Sequence, residues 1–129
     1  MTPELTALTL AVLLQGLQFA LFSVTAQMEV GSKYAASPRD EPRQLHGLAG
    51  RAQRAMNNHF EGLILFIAAV LVVVAGDQST GVTQAAAWTY LGARVLYVPA
   101  YLLGWTPWRS AIWFVGFLAT MLMLIAALF

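Results

Sequence analysis

Long uncharged runs constrain this chain more than any other feature. No charged side chain occurs from Leu5 to Met28, from Gly62 to Gly76, from Gln78 to Ala93 or from Ser110 to Phe129. A bilayer core of about 30 Å is crossed by about 20 helical residues, which predicts spans near residues 5–26, 52–75, 82–104 and 107–128, with a first loop near 27–50. The composition agrees: 59% hydrophobic and 10% charged argues against a soluble domain, where the shares are about one half and one quarter. Backbone groups in lipid must be paired internally, and no alternating strand pattern of the barrel type is present. The expected fold is therefore all-α, an integral membrane four-helix bundle forming one domain over residues 1–129. The first run follows no basic segment, so it reads as a retained span rather than a signal peptide.

Net charge is +1 and cysteine is absent. The first leaves no charge excess to draw the chain to nucleic acid. The second removes disulfides, thiolate metal sites and a cysteine nucleophile, and no His/Asp/Glu cluster has ligand spacing, so no metal site is expected. Thr2-Pro3-Glu4 and Thr106-Pro107 each place a capping hydroxyl before a proline at a helix start, and Gly76 can close the second span. Ser37-Pro38-Arg39-Asp40-Glu41-Pro42 reads as an ordered turn or a flexible cover. Lys33, Arg39, Arg43, Arg51 and Arg54 lie in or beside the first loop and Arg109 beside the third. By the positive-inside rule those loops are cytoplasmic and both termini lie on the opposite side.

The second and third spans break the apolar pattern. Fifteen uncharged residues from Gly62 to Gly76 are too few to cross alone, so the span reaches back through Glu61, Asn58 and Arg54. With Arg51 these recur at offsets of 0, 3, 7 and 10, one stripe on a helix. Arg94, Tyr97 and Tyr101, at offsets of 0, 3 and 7, form a second stripe, with Pro99 between the tyrosines. At 1.5 Å per residue, Glu61 lies about 22 Å below Gly76 and Arg94 about 18 Å below Val82. The short connection between these spans makes them antiparallel neighbours. Glu61 is then expected to meet Arg94, with Tyr97 and Tyr101 running toward Asn58 and Arg54.

Ionised side chains inside a span are costly and face the bundle interior or a water-filled cavity. A structural Glu61–Arg94 ion pair is one reading. One carboxylate cannot balance Arg51, Arg54, Arg94 and Arg109, however, and either an anionic ligand or a phospholipid headgroup would supply the missing charge.

These residues resemble the MAPEG superfamily, the membrane-associated proteins in eicosanoid and glutathione metabolism. The resemblance rests on Arg54-Ala55-x-x-Asn58-x-x-Glu61, preceded by Arg51, and on Arg94-x-x-Tyr97-x-x-x-Tyr101. It covers nearly the whole chain and implies a bacterial microsomal glutathione transferase-like member of an inner membrane. It implies a homotrimer holding glutathione between subunits, open to the cytoplasm, with Arg51, Arg54, Asn58, Glu61, Arg94, Tyr97 and Tyr101 as its contacts. Arginines suit the two glutathione carboxylates, and Glu61 can accept from the amine or hold an arginine. Pro107-Trp108-Arg109-Ser110 resembles the Pro-x-Arg-Ser motif of the prostaglandin E synthase branch, which implies catalytic roles for Arg109 and Ser110. A guanidinium near the sulfur, aided by the positive end of the fourth helix, favours thiolate. Arg109 is preferred over Ser110 because a full charge shifts a thiol pKa more than a hydroxyl does. The implied activity is conjugation or reduction of a lipophilic electrophile drawn from the membrane lipids. The alternative is a non-catalytic lipid-binding or scaffold protein of the same family.

Remaining residues have plainer readings. His59 lacks a second ligand or nucleophile partner and reads as packing or an interhelical hydrogen bond. His46 is expected in solvent. Gln15 and Gln18 are expected to form interhelical hydrogen bonds. Trp105, Trp108 and Trp113 suit interface anchoring, with Trp105 or Trp108 available to line a lipophilic slot. Met121 and Met123 suit lipid contact or packing.

Overall fold

A computed structural model of the chain describes residues 1–40 and 44–129. Glu41, Pro42 and Arg43, used above in the turn and the orientation argument, lie outside the described residues. The first helix begins where capping chemistry places it. Thr2 Oγ1 accepts the Leu5 N–H at 3.2 Å and Pro3 occupies the first turn of α1 (Pro3–Val30). Gly31, at φ +87°, ends α1 and precedes a short α2 (Ser32–Ala36). A side chain at this φ would be strained, which glycine avoids.

The segment after α2 is an ordered turn as far as it is described. Ser37 Oγ donates to the Tyr34 carbonyl and accepts the Arg39 N–H, while the Arg39 guanidinium returns to the Ala35 carbonyl at 2.8 and 3.1 Å. Glu29 receives the His46 N–H on both carboxylate oxygens, tying the end of α1 to the start of α3 (Gly47–Ala75). The His46 side chain is exposed. Helices thus extend well into the predicted 27–50 loop.

At the opposite end Gly76 closes α3, its N–H reaching the Val72 carbonyl at 3.0 Å. Thr80 and Thr83 form a reciprocal capping box that starts α4 (Gly81–Leu102), a motif not anticipated from the sequence. The last helix, α5 (Trp108–Ala126), departs from expectation. Pro107 takes the cap position with no side-chain capping bond, and Thr106 Oγ1 turns back to the Gly104 carbonyl. The turn before α5 closes through backbone contacts, Trp105 N to Ala100 O at 2.8 Å and Arg109 N to Trp105 O at 2.9 Å.

Three helices, α1, α3 and α5, are long and apolar enough to cross a membrane. The fourth long helix, α4, does not reach that hydropathy, because Thr83, Gln84, Thr89, Tyr90, Arg94 and Tyr97 interrupt it. Packing pairs α1 with α3 and α4 with α5, and α3 and α4 lie between them in contact with both outer helices. Small residues make the close approaches: Ala7, Ala11, Ala69, Ala86 and Ala87 are buried beside Phe66, Val70, Val73 and Met123. Close backbone approach through small residues is how helices associate where lipid removes the hydrophobic drive.

The outer surface is apolar and part of the interior is polar. Leu13, Leu17, Ile64 and Leu71 are exposed, whereas Glu4, Gln15, Gln18, His59 and Arg94 are buried. This inversion fits an apolar solvent. Within it, Glu4 Oε2 accepts from Ser79 Oγ at 2.6 Å and Thr83 Oγ1 at 3.0 Å, fastening the start of α1 to the start of α4. Gln15 and Gln18 correct the reading above. Their amides are buried without a hydrogen-bond partner among the described residues, so the expected interhelical bonds are not made within one chain. Met123 is fully buried, which selects packing over lipid contact for that residue.

Candidate functional site

Partner numbers rise along α3 as they fall along α4, so the two helices are antiparallel as expected. Arg51 Nη1 donates to the Leu102 carbonyl at 3.1 Å, Arg54 Nε to the Tyr101 hydroxyl at 3.0 Å and Arg94 Nη1 to Asn58 Oδ1 at 3.0 Å. Farther along, the Phe66 and Tyr90 rings stack at 3.9 Å. The two polar stripes therefore face each other.

Glu61 and Arg94 lie at one level, and both line one cavity. Among the described residues no ion pair joins them, which corrects the expected contact. Arg94 reaches one helical turn nearer the start of α3 instead. Its Nε donates to His59 Nδ1 at 3.1 Å, its Nη1 goes to Asn58, and its guanidinium carbon lies 4.4 Å from the centre of the Tyr97 ring. The His59 Nε2–H completes the chain by donating to the Ala11 carbonyl at 2.9 Å. Because Ala11 O only accepts and Arg94 only donates, both bonds require the Nε2–H tautomer. His59 thus joins α1, α3 and α4 and positions Arg94, more than the packing or single interhelical hydrogen bond expected from the sequence.

Arg109 approaches from α5. Its guanidinium carbon lies 4.6 Å from the centre of the Tyr101 ring, and that of Arg54 lies 5.9 Å from the same ring. Tyr97 and Tyr101 are neighbours at 5.7 Å. Asn58, Tyr97, Tyr101, Arg109, Ser110 and Trp113 line a cleft of about 310 Å³. The structure therefore gathers Asn58, Tyr97, Tyr101, Arg109 and Ser110 directly, with Arg54 touching its wall through Tyr101. Arg51 sits beyond it on the Leu102 carbonyl, and Glu61 faces the inner cavity instead.

Among the described residues no carboxylate pairs with Arg51, Arg54, Arg94 or Arg109, whose partners are a backbone carbonyl, a hydroxyl, an amide, an imidazole and ring faces. Arg109 lines the cleft, Arg54 reaches its Tyr101 wall and Arg94 holds its Asn58, so guanidinium without a paired carboxylate surrounds the space and suits it to anionic groups. Trp113 lines it, whereas Trp105 and Trp108 are exposed, so the tryptophan at the site is the one not singled out for it. Its place could be found only after α4 and α5 were docked.

Comparisons with curated protein sequences and with solved structures returned no match. A family profile described as the MAPEG family matches residues 7–129, nearly the whole chain and both polar stripes. Together with three helices able to cross a membrane, the match establishes that this chain is a membrane protein belonging to the MAPEG family.

Proposed function

We propose that the protein binds glutathione in the arginine-rich cleft and uses its thiolate to conjugate or reduce a lipophilic electrophile. The MAPEG family includes glutathione-dependent enzymes and non-catalytic members, so membership alone does not choose. The observation that favours the enzyme is the cleft itself: guanidiniums of Arg54, Arg94 and Arg109 around Asn58, Tyr97 and Tyr101, with no carboxylate paired to them among the described residues. Glutathione brings two carboxylates to such a set, and Arg54, Asn58, Tyr97 and Tyr101 would hold them, with Arg94 positioning Asn58 and Tyr97 from the inner side and Arg51 and Glu61 at the edges. Arg109, at the start of α5, would stand by the sulfur with Ser110 beside it. A fixed cation and the positive helix end both lower a thiol pKa toward neutrality.

Four spans, with the loop between α1 and α3 and the loop before α5 in the cytoplasm of a bacterial cell and both termini outside, complete this reading. α4 crosses as the fourth span despite its polar residues because the largest of them, Tyr90, Arg94 and Tyr97, are buried, Thr83 is held by Glu4 of α1, and exposed Thr89 returns its hydroxyl to the Ala85 carbonyl. A homotrimer is supported by Glu61, which is exposed on a single chain although it lies midway along α3. A carboxylate at that depth needs cover from another subunit.

The test is thermal unfolding of the purified protein with and without glutathione. A ligand present at about 100 times its Kd stabilises the folded state by roughly 2.7 kcal/mol, so the transition should rise with glutathione, and the rise should vanish in Arg54→Ala. Stabilisation by anionic phospholipid and none by glutathione would select the non-catalytic lipid-binding reading.

A further inference from the structure

Deeper in the bundle than the arginine cleft, and sharing Trp113 with it, lies a second cavity of about 200 Å³ between α3, α4 and α5. Two side chains that line it carry unsatisfied donors. The Tyr90 hydroxyl and Arg94 Nη2 are buried with no hydrogen-bond partner, in residues that are each only 2% exposed. Leaving such groups unpaired is costly. Neither orientation is free to change. Stacking on Phe66 fixes the Tyr90 ring, and His59 and Asn58 fix Arg94. Both come together over Gly62, where a Cβ would stand 3.4 Å from the Tyr90 hydroxyl and 3.9 Å from Arg94 Nη1.

Apart from Glu61 and Thr120, the rest of the cavity is apolar. Trp113 and Phe117 form an aromatic wall, and half-exposed Leu65 stands at its mouth beside Glu61. Two donors call for an acceptor oxygen. Glu61 and Arg94 face the space with opposite charges, so the cavity, unlike the cleft, has no excess of positive charge to hold a carboxylate. A neutral ligand also reaches it through the bilayer without the cost of burying an ion. For size, a cavity of about 150 Å³ with apolar walls takes up benzene. We propose that this inner cavity is a binding site for a neutral, planar lipophile bearing a carbonyl oxygen, which accepts from the Tyr90 hydroxyl and Arg94 Nη2 while its ring lies against Trp113 and Phe117. The site does not depend on glutathione being bound.

The probe is acetophenone carrying a 13C-labelled carbonyl, added without glutathione to the purified full chain in detergent micelles. The expected result is saturable binding, with the carbonyl resonance displaced downfield from its position in empty micelles. Ethylbenzene, the same shape without the oxygen, should compete at least tenfold less well. Tyr90→Phe should lose most of the displacement and bind about tenfold more weakly, the worth of about one hydrogen bond. Gly62→Ala, which sets a methyl beside the hydroxyl, should weaken binding in the same way. Because the hydroxyl has no partner, Tyr90→Phe without ligand should melt at the wild-type temperature or above, and a lower melting point would overturn the proposal. So would binding unchanged in both variants, or benzoate competing as well as acetophenone. Displacement of bound acetophenone by glutathione would assign the donors to the tripeptide and overturn it as well.

Discussion

Arg94 and His59 show what residue-level chemistry settles and what it leaves open. Spacing put Arg54, Asn58 and Glu61 on one face and Arg94, Tyr97 and Tyr101 on another, and the structure brings those faces together. Spacing could not choose among partners one turn apart, and Arg94 takes Asn58 and His59 rather than Glu61. That choice depends on the Ala11 carbonyl of α1, which holds His59 and has no trace in a side-chain pattern. His59→Leu should therefore destabilise the protein by about 1–2 kcal/mol, measured by reversible unfolding in mixed micelles. His59→Gln, which can donate and accept, should recover part of the loss. For Arg109, a neighbouring cation lowers an acidic pKa by about 1–3 units. Arg109→Ala should lower turnover with glutathione and an electrophile about 10- to 1,000-fold at neutral pH, while glutathione affinity changes by a few-fold at most. Ser110→Ala should lower turnover less. A larger loss in Ser110→Ala would move the activating role to the hydroxyl.

At the scale of the element, one local rule succeeded and the same rule failed. A threonine before a proline starts α1, where Thr2 caps Leu5 and nothing competes for it. At Thr106-Pro107 the chain has just left α4, and the turn is set by Trp105 returning to the Ala100 carbonyl, so the hydroxyl faces Gly104 and α5 begins uncapped at Trp108. The stronger cap starts α4. The Thr80 and Thr83 side chains each accept the other's backbone N–H, and the Thr83 hydroxyl also donates to the Glu4 carboxylate of α1. Only the Thr80-x-x-Thr83 spacing was legible in the sequence, whereas the Glu4 bond depends on the docking of α1. Thr83→Ala removes a cap and leaves a buried carboxylate with one donor, so it should cost about 1–3 kcal/mol. Thr83→Ser should restore most of it, and the pair can be compared by thermal unfolding of the apoprotein.

For the whole molecule, the uncharged runs identified the membrane but left the assembly unstated, because subunit contacts leave no periodic signal that a single chain's core does not also leave. Glu61, exposed midway along α3, is what supports the proposed homotrimer. Native mass spectrometry from gentle detergent should give a trimer, and Glu61→Leu should shift its population. A monomer as the sole species would contradict the cover proposed for Glu61.

The central claim is that the arginine cleft turns glutathione into a bound thiolate, and an ultraviolet difference spectrum at neutral pH tests it most directly. Adding glutathione to the purified protein should produce a saturable thiolate band, lost in Arg109→Ala while binding persists. Saturating glutathione that yields no thiolate band in the unaltered protein would contradict the account.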